Sequence, residues 1–213
     1  MTDTSAMIAR LAGDAGRRGP GFGIRLAGLV VLAAGVAATV FFATIGPRAD
    51  IAAAAETIRF LAKFVLTLSL AGAALYLFDR LGRPGAACAR HWLALLVPGA
   101  VLAAMLVGEA MTLPAPQWQA AMIGSNSLVC LTFIPLIGIG PLLLLIFGLR
   151  QGAPTRPGLA GVVAGVLAGA MAASFYAAHC TDDSPFFVLL WYSIAIAGLA
   201  AAGGVLGRIF ARF

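Results

Sequence analysis

Charge is what this chain lacks. Of its 213 residues, fourteen are Lys or Arg and eight are Asp or Glu, 10% in all. A soluble domain carries about 25% charged residues, because a buried core needs a hydrated shell. Too few are present here to make one, which excludes a soluble enzyme and a charged disordered tail. Cysteine is scarce as well, with three in the chain, so a disulfide-held secreted scaffold is excluded. There is no Cys-x-x-Cys pair, Gly-rich phosphate loop, His-Glu-x-x-His motif or Ser/His/Asp set, and no enzyme activity is expected. What is abundant is apolar: 62% of the residues, with a mean hydropathy of +1.00. The composition is that of an integral membrane protein.

Crossing about 30 Å of hydrocarbon takes roughly 20 helical residues. Six segments reach that length: Ile24–Ile45, Phe60–Phe78, His91–Met111, Asn126–Gly148, Leu159–His179 and Phe186–Ile209. The connections between them are short and hold helix breakers such as Gly46-Pro47, Arg83-Pro84-Gly85, Pro114-Ala115-Pro116, Gly152-Ala153-Pro154 and Ser184-Pro185. Backbone polar groups in lipid must be satisfied internally, and no alternating strands are visible. The fold class expected is an all-α membrane protein, a bundle of six transmembrane helices. Residues 24–213 form the membrane domain, and residues 1–23 precede it. Arg17 and Arg18 stand before the first span, whose apolar run exceeds the roughly 7–15 residues of a cleaved signal, so it reads as an anchor.

Orientation follows the basic residues. Arg10, Arg17, Arg18, Arg25, Arg80, Arg83, Arg90, Arg150, Arg156, Arg208 and Arg212 all fall on one side of the six spans, with Asp3, Asp14 and Asp79. The other side has Arg48, Arg59 and Lys63 against Asp50, Glu56, Glu109, Asp182 and Asp183. The first side is expected to be cytoplasmic and to hold both termini. The pI near 10.0 is then a topological signature, and no direct nucleic-acid contact is expected.

Few polar side chains enter the spans. Glu56 can pair with Arg59 at i+3, and Lys63 is expected to reach for the headgroups; the alternative is that this basic turn partners Glu109, the deepest carboxylate. Pro135 and Pro141 are expected to kink the fourth span. Gly161, Gly165 and Gly169 line the fifth, and Gly203 and Gly207 the sixth. Such small-residue faces pack helices within a bundle or, as a second reading, pair two copies of the chain.

Topology sorts the cysteines. Cys88 falls in a cytoplasmic connection, an unpaired thiol. Cys130, one turn into the fourth span, and Cys180, at the end of the fifth, share the opposite, oxidising side. Three readings stay open for the stretch His179-Cys180-Thr181-Asp182-Asp183-Ser184-Pro185. One is a structural disulfide beside a helix start, with Ser184 as N-cap, Pro185 at N1 and the two Asp at the positive dipole end. A second is a redox-responsive Cys130/Cys180 pair. The third is a metal site, with His179, Asp182 and Asp183 joining both sulfurs. No cofactor is expected beyond that metal ion. At the amino terminus Met7, Ile8 and Leu11 make a narrow apolar stripe after the capping residues Thr2-Asp3-Thr4-Ser5, a short amphipathic helix that can form on a partner.

Several of these stretches together resemble the NrsF family of six-span bacterial inner-membrane anti-sigma factors. They are Leu128-Val129-Cys130, Arg150-Gln151-Gly152-Ala153-Pro154, Cys180-Thr181-Asp182-Asp183-Ser184-Pro185 running into Val188-Leu189-Leu190-Trp191, and Thr2-Asp3 with Ile8 and Leu11-Ala12. The likeness is strongest from Asn126 to the end, and the chain departs from the family pattern at Gly16-Arg17-Arg18-Gly19-Pro20. The resemblance implies that the amino-terminal segment, through Asp3, Met7, Ile8 and Leu11, holds an extracytoplasmic-function sigma factor at the membrane. It also implies that Cys130 and Cys180 sense oxidative or heavy-metal stress and release that factor. The competing expectation is a membrane thiol–disulfide or metal-handling protein that works at the same cysteines.

Overall fold

The computed structural model describes residues 22–83 and 89–211, with Thr4, Met7 and Ile8 of the amino-terminal segment. Among them are six helices long and apolar enough to cross a membrane and no strand: α1 Gly23–Thr44, α2 Ile58–Leu81, α3 Arg90–Thr112, α4 Ser127–Leu149, α5 Pro157–Ala177 and α6 Pro185–Phe210. Their ends lie within three residues of those expected. Two short helices, Ile51–Ala54 and Trp118–Ile123, sit in connections where no element was expected. α3 begins as a 3₁₀ stretch over Ala89–Leu95. α6 widens into a π segment over Val188–Tyr192, a distortion common near functional sites.

Helix five is the centre of the bundle. It packs against α6, α2, α4 and α1, and it is the most buried of the six, whereas α3 is the least. Small residues make that possible. A Cβ at Gly161 would fall onto the Gly203 carbonyl, one at Gly165 onto the backbone of Leu199 and Ala200, and one at Gly207 onto the Pro157 carbonyl. The glycine faces of the fifth and sixth spans are therefore consumed against each other. This is the first of the two readings of these faces, packing within the bundle. α4 packs between α1, α5 and α6. Pro135 and Pro141 lie inside its continuous helix, and Gly138 there receives the Leu199 side chain.

The six helices alternate in direction, so one end of the bundle collects the finish of α1, α3 and α5 with the start of α2, α4 and α6. Cys130 and Cys180 are at this end, called the cysteine end below. The other end is marked by Gly158 against Arg208 and by Gly23 near Arg83.

Candidate functional site at the cysteine end

Cys130 sits in the first turn of α4, its amide bonded to the Asn126 carbonyl at 2.8 Å, and Cys180 lies three residues past α5. Both are free thiols with no exposure to solvent. Tyr176 and Tyr192 are buried at the same end, their rings 5.7 Å apart. Burial pushes the Cys180 thiol up from its ordinary range, opposed by the charge of Lys63.

The connection from α5 to α6 is fastened side chain by side chain. His179 donates from Nδ1 to the Gly46 carbonyl at 2.9 Å. Asp182 accepts from the Ser125 and Asn126 amides at 3.0 and 2.8 Å, so it fastens the turn that leads into α4 and not the start of α6. Gly124 supplies that turn at φ +59°, where a Cβ would strike Phe187 and Asp182. Asp183 pairs with Arg48 at 3.1 Å and with Lys63 at 2.5 Å. Ser184 accepts from the Phe186 amide and donates to Glu109 at 3.1 Å, and Pro185 follows at the first helical position, as expected for a cap. Two of the aspartates thus leave the helix dipole that the sequence pattern assigned them. The amides just before α4 and the cations Arg48 and Lys63 hold them instead.

Lys63 also departs from expectation. It has no exposed surface and does not reach outward: Nζ donates to the Cys180 carbonyl at 2.9 Å and stands 5.4 Å from the Phe60 ring centre. Arg59 pairs with Glu109 at 2.7 Å, the alternative reading, and not with Glu56. Arg48 makes a two-pronged bond to Asp50, both arms 2.7 Å, and holds that carboxyl below the usual range. All three basic residues of this end are therefore paired with acids. Sequence reasoning missed Lys63 and Arg48 as partners of Asp183 and Cys180. The available signal was a lone ammonium inside an apolar span, which in a membrane protein calls for a buried partner.

The proposed metal donors are thus committed elsewhere: His179 to a carbonyl, Asp182 to amides and Asp183 to cations. Among the described residues no group of three or more His, Cys, Asp and Glu side chains is gathered around a common point. Of the residues assigned to partner binding, Met7 and Ile8 are helical and exposed. Asp3 and Leu11 lie outside the described residues, as does Cys88.

The family model described as NrsF, negative regulator of sigma F, matches residues 11–213. The chain belongs to that family. Two curated relatives align over nearly their full lengths, 99% of this chain and 99% of theirs. One, from Caulobacter vibrioides, is 34% identical and is named anti-sigma-F factor NrsF. The other, from Azospira oryzae, is 29% identical and is named probable anti-sigma-F factor NrsF. No solved structure matches the chain. NrsF is thus a family of regulators by name, and the likeness runs through all six membrane helices of this chain.

Proposed function

We propose that this chain is a membrane-embedded negative regulator of a sigma factor, regulatory and not catalytic. Residues 1–23 face the cytoplasm and hold an extracytoplasmic-function sigma factor, with Asp3, Met7, Ile8 and Leu11 as the contact residues. The cysteine end faces the periplasm of a bacterial inner membrane. Oxidation of Cys130 and Cys180 to a disulfide, with two electrons and two protons passing to the oxidant, or capture of a thiophilic metal ion by the two sulfurs, releases the factor.

The observation that carries this reading is the family match along residues 11–213. Supporting it are the eleven basic residues on the terminal side of the spans, the exposed Met7 and Ile8, and two free thiols at the opposite end. The distance between sensor and partner is the full bilayer, about 30 Å. The message must therefore pass through the helices, and α5, which meets four of the other five, is the route available.

In a host carrying the chain and its sigma factor, deleting residues 2–20 is expected to raise sigma-dependent transcription without stress. Unchanged transcription overturns the sequestration. Replacing Cys130→Ser together with Cys180→Ser is expected to abolish induction by diamide or a thiophilic metal ion; induction that survives overturns the sensor.

A further inference from the structure

Lys63 stands inside a membrane-spanning helix with no exposed surface, although a lysine near a helix end ordinarily extends its stem and puts its charge in the headgroups. Turning inward has to be offset by partners. Two of them belong to one four-residue stretch: the Cys180 carbonyl at 2.9 Å and the Asp183 carboxylate at 2.5 Å. One ammonium therefore gathers Cys180 to Asp183 into a closed turn. Arg48 touches the same two groups more loosely, at 3.4 and 3.1 Å, and is itself drawn toward Asp50. Between them, Asp182 is spent on the start of α4 and Thr181 accepts from Asn126. The Cys180 carbonyl is held from α2, and the side chains of the two residues after it are held by Asn126, just before α4. The Cys180 sulfur is turned inside, with no solvent exposure, and the thiol donates to the Asp182 carbonyl at 3.7 Å.

We propose that Lys63 is a positioning residue for Cys180: clamped between the Cys180 carbonyl and Asp183, it keeps the thiol shut inside the bundle, and opening that clamp is what exposes the sulfur. The clamp refers to the chemistry of Cys180 alone. Its use in signalling rests on the sensor reading above.

The test uses the full chain in phospholipid nanodiscs, with Cys88→Ser and Cys130→Ser so that Cys180 is the remaining thiol. N-ethylmaleimide labelling is followed by mass spectrometry. Parental Cys180 is expected to label slowly. Lys63→Met is expected to accelerate labelling about tenfold or more, because a charge-assisted bond that restrains local opening is gone. Asp183→Asn is expected to accelerate it too, and Lys63→Arg, which keeps charge and donors, to return it toward the parental rate. Helical content by circular dichroism confirms that each variant is folded. Labelling of Lys63→Met or of folded Asp183→Asn no faster than the parent overturns the clamp. In nanodiscs with all three cysteines present, sigma-factor release on adding diamide is scored separately. Faster labelling without release overturns the sensor reading and leaves the clamp standing.

Discussion

Glu109 is 3% exposed and is held by one guanidinium and one hydroxyl, Arg59 at 2.7 Å and Ser184 at 3.1 Å. It ties the least buried helix, α3, to α2 and to the cap of α6. Because Arg59 is half exposed, water compensates it when the carboxylate is lost, and the pair is worth less than a fully buried one. Glu109→Gln is expected to cost about 1 kcal/mol in reversible unfolding in mild detergent. No loss of stability would mean that α3 is held by apolar contacts alone. At the same end, hydrogen bonding from Arg48 holds the Asp50 carboxyl below its ordinary range. Its contribution to stability is therefore present above the ordinary carboxylate range near pH 4 and is lost as pH falls through the lower folded value. Asp50→Asn is expected to flatten the acid limb of a stability–pH curve below about pH 4, and an unaltered limb contradicts the pairing. These partnerships were the least legible part of the sequence. Lys63 and Asp183 are 120 positions apart, and nothing local says that an ammonium expected at the headgroups will turn to a distant loop. Asp182 was read as serving the helix that follows it, because sequence proximity favours that helix; the fold offered it the amides of Ser125 and Asn126 before α4 instead. The cap at Ser184, by contrast, depends on adjacent residues and was visible in them.

At the scale of elements, the glycines separate into those that carry an interface and those that do not. Gly161→Leu must push α5 away from α6, because the added atoms meet the Gly203 carbonyl, and backbone cannot step aside as a side chain can. It is expected to destabilise the protein by about 3 kcal/mol or more, the upper end for overpacking. Gly198→Ala, on the same α6, meets no atom within 4 Å and is expected to be neutral or to stabilise by up to about 1 kcal/mol from helix propensity. Unfolding of the two variants side by side checks this, and equal effects would contradict the α5–α6 contact. The spans themselves were legible almost to the residue, since a run of some twenty apolar residues between breakers has one physical solution in a bilayer. The short helices Ile51–Ala54 and Trp118–Ile123 were not. They are too short for periodicity to show and are held by tertiary contacts such as the Trp191 indole donating to the Met122 carbonyl at 3.0 Å.

For the whole molecule, the basic surplus splits into two different uses. Eleven Lys and Arg residues fall on the side of the termini and three at the cysteine end, where every one of the three is in an ion pair with an acid. The cysteine end thus carries its few cations in ion pairs, and the terminal end carries the larger basic surplus. As proposed, the chain is a six-helix anchor that presents a short segment to a sigma factor on one face and two shielded thiols on the other. The most direct measurement of that account is binding with purified components. The full chain in nanodiscs and a version lacking residues 1–20 are each mixed with the purified sigma factor, and the share retained with the nanodisc is read. The account predicts stoichiometric retention by the full chain and background retention by the shortened one. Equal retention by both, or none by either, would contradict it.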